Sequence, residues 1–277
     1  MNGKNVVLGI TGGIAAYRAA QIAREMTKRG AHVYCILTRN ATNFITQQTM
    51  ETLTGNPAVV DMFARPDKWE VEHIALAKRA DVFLVAPASA NFIGKVASGV
   101  ADDMLTTTVM ATRAPLLIAP AMNSNMYENP VTQRNIQTLK TLLRAQFIEP
   151  KVGLLACNDV GKGHIADDET ILEAVERALT PGDLTGKKVL VTAGPTREAL
   201  DPVRFLTNRS SGRMGYALAE AAARRGAEVT LVSGPVALEC PTGVRREFVE
   251  STQDLYCAME RLCWEQDVII QAAAPAD

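Results

Sequence analysis

The chain has 277 residues, which at about 150 residues per domain leaves room for roughly 1.8 domains and favours two domains, or one and a fragment. Its 29 basic and 30 acidic residues nearly cancel, which argues against nucleic acid or any other polyanion as a partner. Hydrophobic residues supply 47% of the chain, ample for a buried core, yet no apolar run approaches the roughly 20 residues of a membrane span. The apolar start at Val6 to Ile10 is broken by Thr11, Gly12 and Gly13 before it could serve as a signal peptide. A soluble cytoplasmic protein without membrane association is expected. Cys35, Cys157, Cys240, Cys257 and Cys263 form no CxxC pair and no Cys/His set with metal-ligand spacing, so neither a disulfide scaffold nor a metal site is expected, and each thiol taken alone reads as buried and inert.

The first forty residues read as strand, glycine turn, helix, strand. Asn5 to Ile10 and Val33 to Leu37 are short apolar runs; between them Ala15, Ala19, Ile22 and Met26 trace one apolar stripe of a helix that Gly30 closes. Asp81 to Ala86 and Leu116 to Ala119 read as buried central strands, each stopped by the proline that follows, Pro87 and Pro120. Helical patterns occupy Ala90 to Ala97, Met104 to Ala111 and Val131 to Leu143. This alternation predicts an α/β fold, a doubly wound parallel sheet of flavodoxin or Rossmann type, with the loops at Gly12, Thr38, Ala88 and Ala121 on one ligand rim.

A helix carrying Ile171, Leu172, Val175 and Leu179 precedes the linker Thr180 to Asp183, so domains of 1–180 and 181–277 are expected. The pattern then restarts. Lys188 to Thr192, Glu228 to Val232 and Val268 to Ala272 read as strands, with helices at Met214 to Arg225 and Leu255 to Cys263, which is the first half of a second Rossmann-like sheet. Because the chain stops at a strand end, this second domain is expected to be cut at about its midpoint.

Several loops could carry chemistry. Gly9-Ile-Thr-Gly12-Gly13 is either a phosphate cradle or a plain tight turn; it departs from GxGxxG, and Thr38-Arg39-Asn40 lacks the acidic residue a nicotinamide dinucleotide wants, so a mononucleotide fits better. Ser89 is a helix N-cap, and with Asn91 it could also face the cofactor. Asn123, flanked by Met122 and Met126, is a turn residue or a ligand. His73 on an amphipathic helix is a structural or a catalytic histidine, and the glycine-rich loop around Cys157 could close over a site and donate a proton. In the second half, about twenty residues separate a strand from its helix where two to six is usual, and that insert holds four arginines and a Ser-Ser-Gly.

Taken jointly, Gly-Gly-Ile-Ala-Ala-Tyr, His73, Ala-Pro-Ala-Ser-Ala-Asn, Pro-Ala-Met-Asn-Ser-Asn-Met and Cys157 in its glycine loop resemble the flavin-dependent cysteine decarboxylases. Gly-Pro-Thr-Arg-Glu and Asn-Arg-Ser-Ser-Gly-Arg-Met-Gly are similar to the ligase half of the bifunctional family that joins phosphopantothenoylcysteine decarboxylase to phosphopantothenate–cysteine ligase. The resemblance implies FMN, with its phosphate at Gly12 and Gly13 and with Thr38, Ser89 and Asn91 near the rest of it. The implied reaction turns 4′-phosphopantothenoylcysteine into 4′-phosphopantetheine: oxidation of the substrate thiol to a thioaldehyde creates the electron sink that cysteine lacks, CO₂ leaves, and the product is reduced. His73 would serve the oxidation and decarboxylation phase, Asn123 and Met126 would hold the substrate, and Cys157 would donate the final proton.

For the second domain the resemblance implies CTP and Mg²⁺, with 4′-phosphopantothenate and cysteine as substrates. Arg204 and Asn208 would lie at the acyl intermediate and Asp277 at the CTP; the family's catalytic lysine falls beyond Asp277. A trimer-based homo-oligomer is implied as well. One departure is visible: where the family commonly has Gly-x-Gly-Arg-Met, this chain has Gly161-Lys-Gly163-His164-Ile165, and Lys162 is the candidate replacement cation. A non-enzymatic flavoprotein regulator of the same fold is the alternative, against which His73, Asn123 and Cys157 are all present.

Overall fold

The computed structural model describes residues 1–63, 72–154 and 160–276. The chain divides into two compact units, Met1–Leu179 and Thr180–Asp277.

The first unit opens with β1 (Asn5–Ile10), α1 (Arg18–Lys28) and β2 (His32–Leu37), followed by α2 (Gln47–Thr54) and a two-residue β3 (Ala58–Val59). After α3 (Glu72–Arg79) come β4 (Val82–Ala88), α4 (Ala90–Ala97), α5 (Met104–Ala111), β5 (Leu116–Pro120), α6 (Ser124–Glu128), α7 (Pro130–Leu142) and β6 (Gln146–Phe147). The strands pair in parallel in the order β3-β2-β1-β4-β5-β6. Chain direction across the sheet reverses between β1 and β4, so the loops leaving those two strands diverge and open a crevice at their carboxyl ends. A separate antiparallel hairpin, β7 (Lys151–Leu154) and β8 (Val160–His164), precedes the closing helix α8 (Asp168–Leu179).

Both faces of the sheet are buried, as the near-continuous apolar strands require. Val6, Leu8 and Ile10 face Ala19, Ile22 and Met26 of α1 and Ile171, Leu172 and Val175 of α8. Val7, Phe83 and Val85 pack on the other side against residues of α3, α4, α5 and α7. The predicted α1 stripe holds at Ala19, Ile22 and Met26, but Ala16 replaces Ala15 at the inner position. Residues Ile14–Tyr17 form a 3₁₀ turn, whose three residues per turn shift the phase ahead of the α-helix.

Pro120 ends β5 as expected, whereas Pro87 does not stop its strand. β4 continues through Pro87 to Ala88, which pairs with Pro120 after a register shift. Proline lacks a donor but keeps its acceptor, and the Pro87 carbonyl receives the Thr11 N–H at 3.2 Å and the Thr11 hydroxyl at 2.8 Å. The cysteines also depart from expectation. Cys35 is buried, and burial pushes its thiol up to about 12, whereas Cys240 and Cys263 are half-buried and Cys257 is exposed.

The second unit holds β9 (Lys188–Ala193), the antiparallel pair β10 (Arg197–Ala199) and β11 (Phe205–Thr207), α9 (Arg213–Arg224), β12 (Glu228–Ser233), β13 (Val244–Phe248), α10 (Thr252–Leu262) and β14 (Val268–Gln271). Its parallel sheet runs β13-β12-β9-β14, one strand more than expected, because the charged run of β13 carries no strand signal. The long insert, expected as a loop, is ordered around the β10–β11 pair. Thr192 is buried at the end of β9, where its hydroxyl accepts the Ala272 and Ala273 N–H groups, both at 3.1 Å. Replacing Thr192 with Val removes that acceptor while keeping the shape. A loss of about 1–3 kcal/mol is expected in urea unfolding of the second unit.

Candidate active site

The crevice at the β1/β4 reversal is a cleft of about 750 Å³. That volume lies within the range of sites that enclose a cofactor-sized molecule. Its wall is built from segments that the sequence scatters over 150 residues: 11–15 after β1, 38–40 after β2, 87–92 around the start of α4, 121–123 after β5, and 163–165 at the end of the hairpin. The single rim predicted from Gly12, Thr38, Ala88 and Ala121 is therefore present, with Pro87 and Ser89 lining the cleft on either side of Ala88.

Thr11 is the joint between the two diverging loops. Only 2% exposed, it donates its hydroxyl to the Pro87 carbonyl at 2.8 Å and accepts the Ser89 N–H at 2.9 Å, so β1 and β4 hold each other's loop ends. Gly12 follows because the chain there runs against Asn40: a Cβ would stand 2.5 Å from the Asn40 Cβ and 2.8 Å from its carbonyl carbon. At Gly13 a Cβ would meet nothing within 4 Å, so the wall is open on that side. Gly13 caps the 3₁₀ turn, and the first amides of such a turn have no partner within it. Those amides and the glycine surface suit an anionic oxygen group.

Ser89 caps α4, with its hydroxyl accepting the Phe92 N–H at 3.4 Å, and lines the cleft as well. Asn123 is likewise both a cap and a lining residue: its side-chain oxygen accepts the Asn125 N–H at 2.9 Å. That bond fixes the amide plane at the start of α6. Asn91, Thr38 and Met126 also line the cleft.

Two cations that line the cleft, Arg18 and Lys95, are held in ion pairs. Arg18 donates to Asp168 at 3.1 and 2.7 Å, joining α1 to the start of α8. Lys95 is held by Asp102 at 2.7 Å, which raises its pKa, with Asp103 at 3.6 Å. Lys162, the expected replacement cation, is not in the wall. It is bonded to Glu149 at 2.7 Å, and its neighbour in sequence, His164, lines the cleft instead. The reason is local: Glu149 precedes the hairpin and offers a carboxylate within reach of β8, which holds the ammonium outside.

His73 lies half-buried on α3 and is not among the lining residues. Cys157 and Asp277 fall outside the described residues. In the second unit Arg204 folds back on Asp201, donating its Nε to the carboxylate at 2.6 Å, and Asn208 follows β11 in an exposed position. Sequence reasoning did not single out Thr11, Arg18 or Lys95, and it named His164 only as part of the departure from the family loop. A polar residue directly after the apolar run Val6 to Ile10 is the signal for Thr11.

Comparison with known proteins agrees with this geometry. Residues 1–180 match the Flavoprotein family, and residues 184–277 match the C-terminal domain of the DNA/pantothenate metabolism flavoproteins. The coenzyme A biosynthesis bifunctional protein CoaBC of Vibrio cholerae is 47% identical over 277 residues, covering 99% of this chain and 69% of that protein. The Bacillus subtilis protein of the same name is 46% identical over 282 residues, again spanning 69% of its length. Among solved structures, a PPC decarboxylase mutant complexed with pantothenoylaminoethenethiol is 31% identical and superposes with a TM-score of 0.56, covering 62% of this chain and 96% of that one. The FMN-binding protein AtHal3 gives 30% identity and a TM-score of 0.54, covering 62% and 94%. By sequence over its whole length and by the fold of its first unit, this chain belongs to the CoaBC family of bifunctional coenzyme A biosynthesis flavoproteins.

Proposed function

We propose that this chain carries out the FMN-dependent decarboxylation of 4′-phosphopantothenoylcysteine to 4′-phosphopantetheine, with residues 1–180 as the decarboxylase domain and 181–277 as the N-terminal part of a ligase domain. The observation that carries the reading is the cleft itself, where Gly12, Gly13, Thr38, Ser89, Asn91, Asn123 and Met126 meet around a volume suited to a flavin and a small substrate. When bound, FMN supplies the two-electron oxidation and reduction that free the reaction from needing an electron sink in the substrate.

The chain's own residues divide the remaining work. The Gly12–Gly13 turn holds the cofactor phosphate through backbone N–H groups, while Thr38, Ser89 and Asn91 flank the rest of the cofactor. Asn123, its amide plane fixed by the bond to the Asn125 N–H, turns its NH₂ end toward the substrate carboxylate. Met126 lines the same cleft. Cys157 donates the proton that completes reduction, and His73 assists the oxidative phase. The cleft mouth carries exposed apolar side chains, with Ile14 64%, Tyr17 59% and Met126 50% exposed, which favours cover by another copy in a trimer-based homo-oligomer. An oligomer in which His73 of one copy meets the cleft of its neighbour accommodates both the exposed mouth and the position of His73.

For the second unit the reading is a share in CTP- and Mg²⁺-dependent ligation of 4′-phosphopantothenate to cysteine, with Arg204, Asn208 and Asp277 as contributors. Among the described residues no helix is long and apolar enough to cross a membrane. The proposed setting is the cytoplasm, with small molecules as the substrates.

The test is direct. Purified protein should be yellow with bound FMN and should convert phosphopantothenoylcysteine to phosphopantetheine with release of CO₂. Cys157→Ser should still release CO₂ yet fail to complete the reduction, as followed by mass spectrometry of the products. A colourless protein unable to take up FMN would overturn the reading, and unchanged product formation in Cys157→Ser would remove the proton-donor role.

A further inference from the structure

The hairpin β7–β8 forms a two-stranded sheet of its own and shares no ladder with the main sheet. An isolated pair of strands is marginal by itself, and this one has a register shift at Lys151/Val152, so contacts beyond the ladder must fix where it sits. Its position matters because Gly163 and His164 form one side of the cleft, beside Met122 and Asn123. One backbone bond joins the two sides, from the Met122 N–H to the Gly163 carbonyl at 3.0 Å.

A cluster of three side chains lies immediately beside that bond. Lys162 donates to Glu149 at 2.7 Å and stands over the Tyr127 ring, 5.7 Å from its centroid. The Tyr127 hydroxyl donates to the same carboxylate oxygen at 3.3 Å. Each partner is anchored in a different place. Tyr127 is 6% exposed within the core, and its N–H is donated to the Asn123 carbonyl at 2.9 Å, so it belongs to the helical turn that Asn123 caps. Glu149 follows Ile148, whose N–H is bonded to the Ile118 carbonyl of β5 at 2.8 Å. Lys162 sits on β8 between the two glycines packed on the 122–124 turn.

We propose that Lys162, Glu149 and Tyr127 form a clasp that sets the register of β8 against the Asn123 turn, making Lys162 and Glu149 positioning residues for the substrate side of the cleft. The proposal rests on the decarboxylase reading for its kinetic consequence. The proposed cofactor contacts at Gly12, Thr38, Ser89 and Asn91 belong to other loops, so the clasp acts on substrate binding and leaves FMN binding alone.

A double-mutant cycle in the full-length, FMN-loaded protein tests this. Lys162→Met and Glu149→Gln keep the side-chain shapes and remove the charge pairing. Each is expected to raise KM for phosphopantothenoylcysteine about fivefold, with kcat and the FMN Kd held within about twofold. Hydrogen exchange of the Met122 amide should speed up by about the same fivefold factor in each single variant. The double variant should be no worse than either single one, and Lys162→Arg should return KM to within about twofold of the parent. A KM unchanged in both single variants, effects that multiply in the double variant, or an FMN Kd that rises in step with KM would each overturn the clasp. If the parent protein proved to have no turnover, the decarboxylase reading would fall and the Met122 exchange cycle alone would decide the clasp: non-additive acceleration supports it, additive or absent acceleration refutes it.

Discussion

Gly163→Ala is expected to reduce kcat/KM for phosphopantothenoylcysteine by about 100-fold, while the protein still binds FMN within about threefold of its parent affinity. The Gly163 Cα lies against the Met122 carbonyl, and an added Cβ would overlap the carbonyl oxygen. The obstacle is backbone on both sides, so no side chain can rotate away to relieve it. Either β8 or the 122–124 turn must move, and the bond from the Met122 N–H to the Gly163 carbonyl is stretched in either case. Overpacking of this kind costs about 1–3 kcal/mol, which at about 1.4 kcal/mol per factor of ten accounts for a loss of up to two orders of magnitude. Steady-state kinetics together with flavin fluorescence titration checks the split. Parent-like kcat/KM would show that this side of the cleft does not touch the substrate.

The complementary substitution acts on the other side. Gly12→Ala is expected to weaken FMN binding by about 100-fold, so that the protein is purified largely colourless. The new Cβ would meet the Asn40 Cβ at 2.5 Å and the Asn40 carbonyl carbon at 2.8 Å, forcing apart the loops after β1 and β2 that meet at the proposed phosphate site. Activity should return in part when FMN is added in large excess, since the substrate side is untouched. Gly163→Ala should show no such rescue. The pair therefore separates the cofactor half of the cleft from the substrate half, and an FMN Kd within about threefold of the parent in Gly12→Ala would remove the phosphate assignment from this turn.

Much of the sheet was legible because its central strands are largely apolar and its helices keep one apolar face. Runs such as Val82 to Ala86 are buried at every position, and a continuous apolar run of that length has few other uses. The two-residue strands β3 and β6 were not legible, since two residues carry no periodicity. Nor was the β7–β8 hairpin: Gly153, Gly161 and Gly163 make it read as a loop, yet two of those glycines are what lets β8 lie against the Asn123 turn. At the cleft, the glycine turn, Thr38, Ser89, Asn91, Asn123 and Met126 were accessible because each follows a recognisable strand or opens a helix.

Local patterning alone accounts for the alternation of strands and helices, the restart after residue 180, and the loops that gather at the strand ends, because periodicity and turn chemistry act over a few residues. Which charges reach the cleft is a different matter. Lys162 and His164 are two residues apart on one strand, yet the carboxylate of Glu149 holds the first outside while the second lines the wall. Arg18 and Asp168, 150 residues apart in the chain, meet at 2.7 Å. An ion pair depends on the distance between two side chains, and for residues far apart in the chain only packing of the whole unit sets that distance.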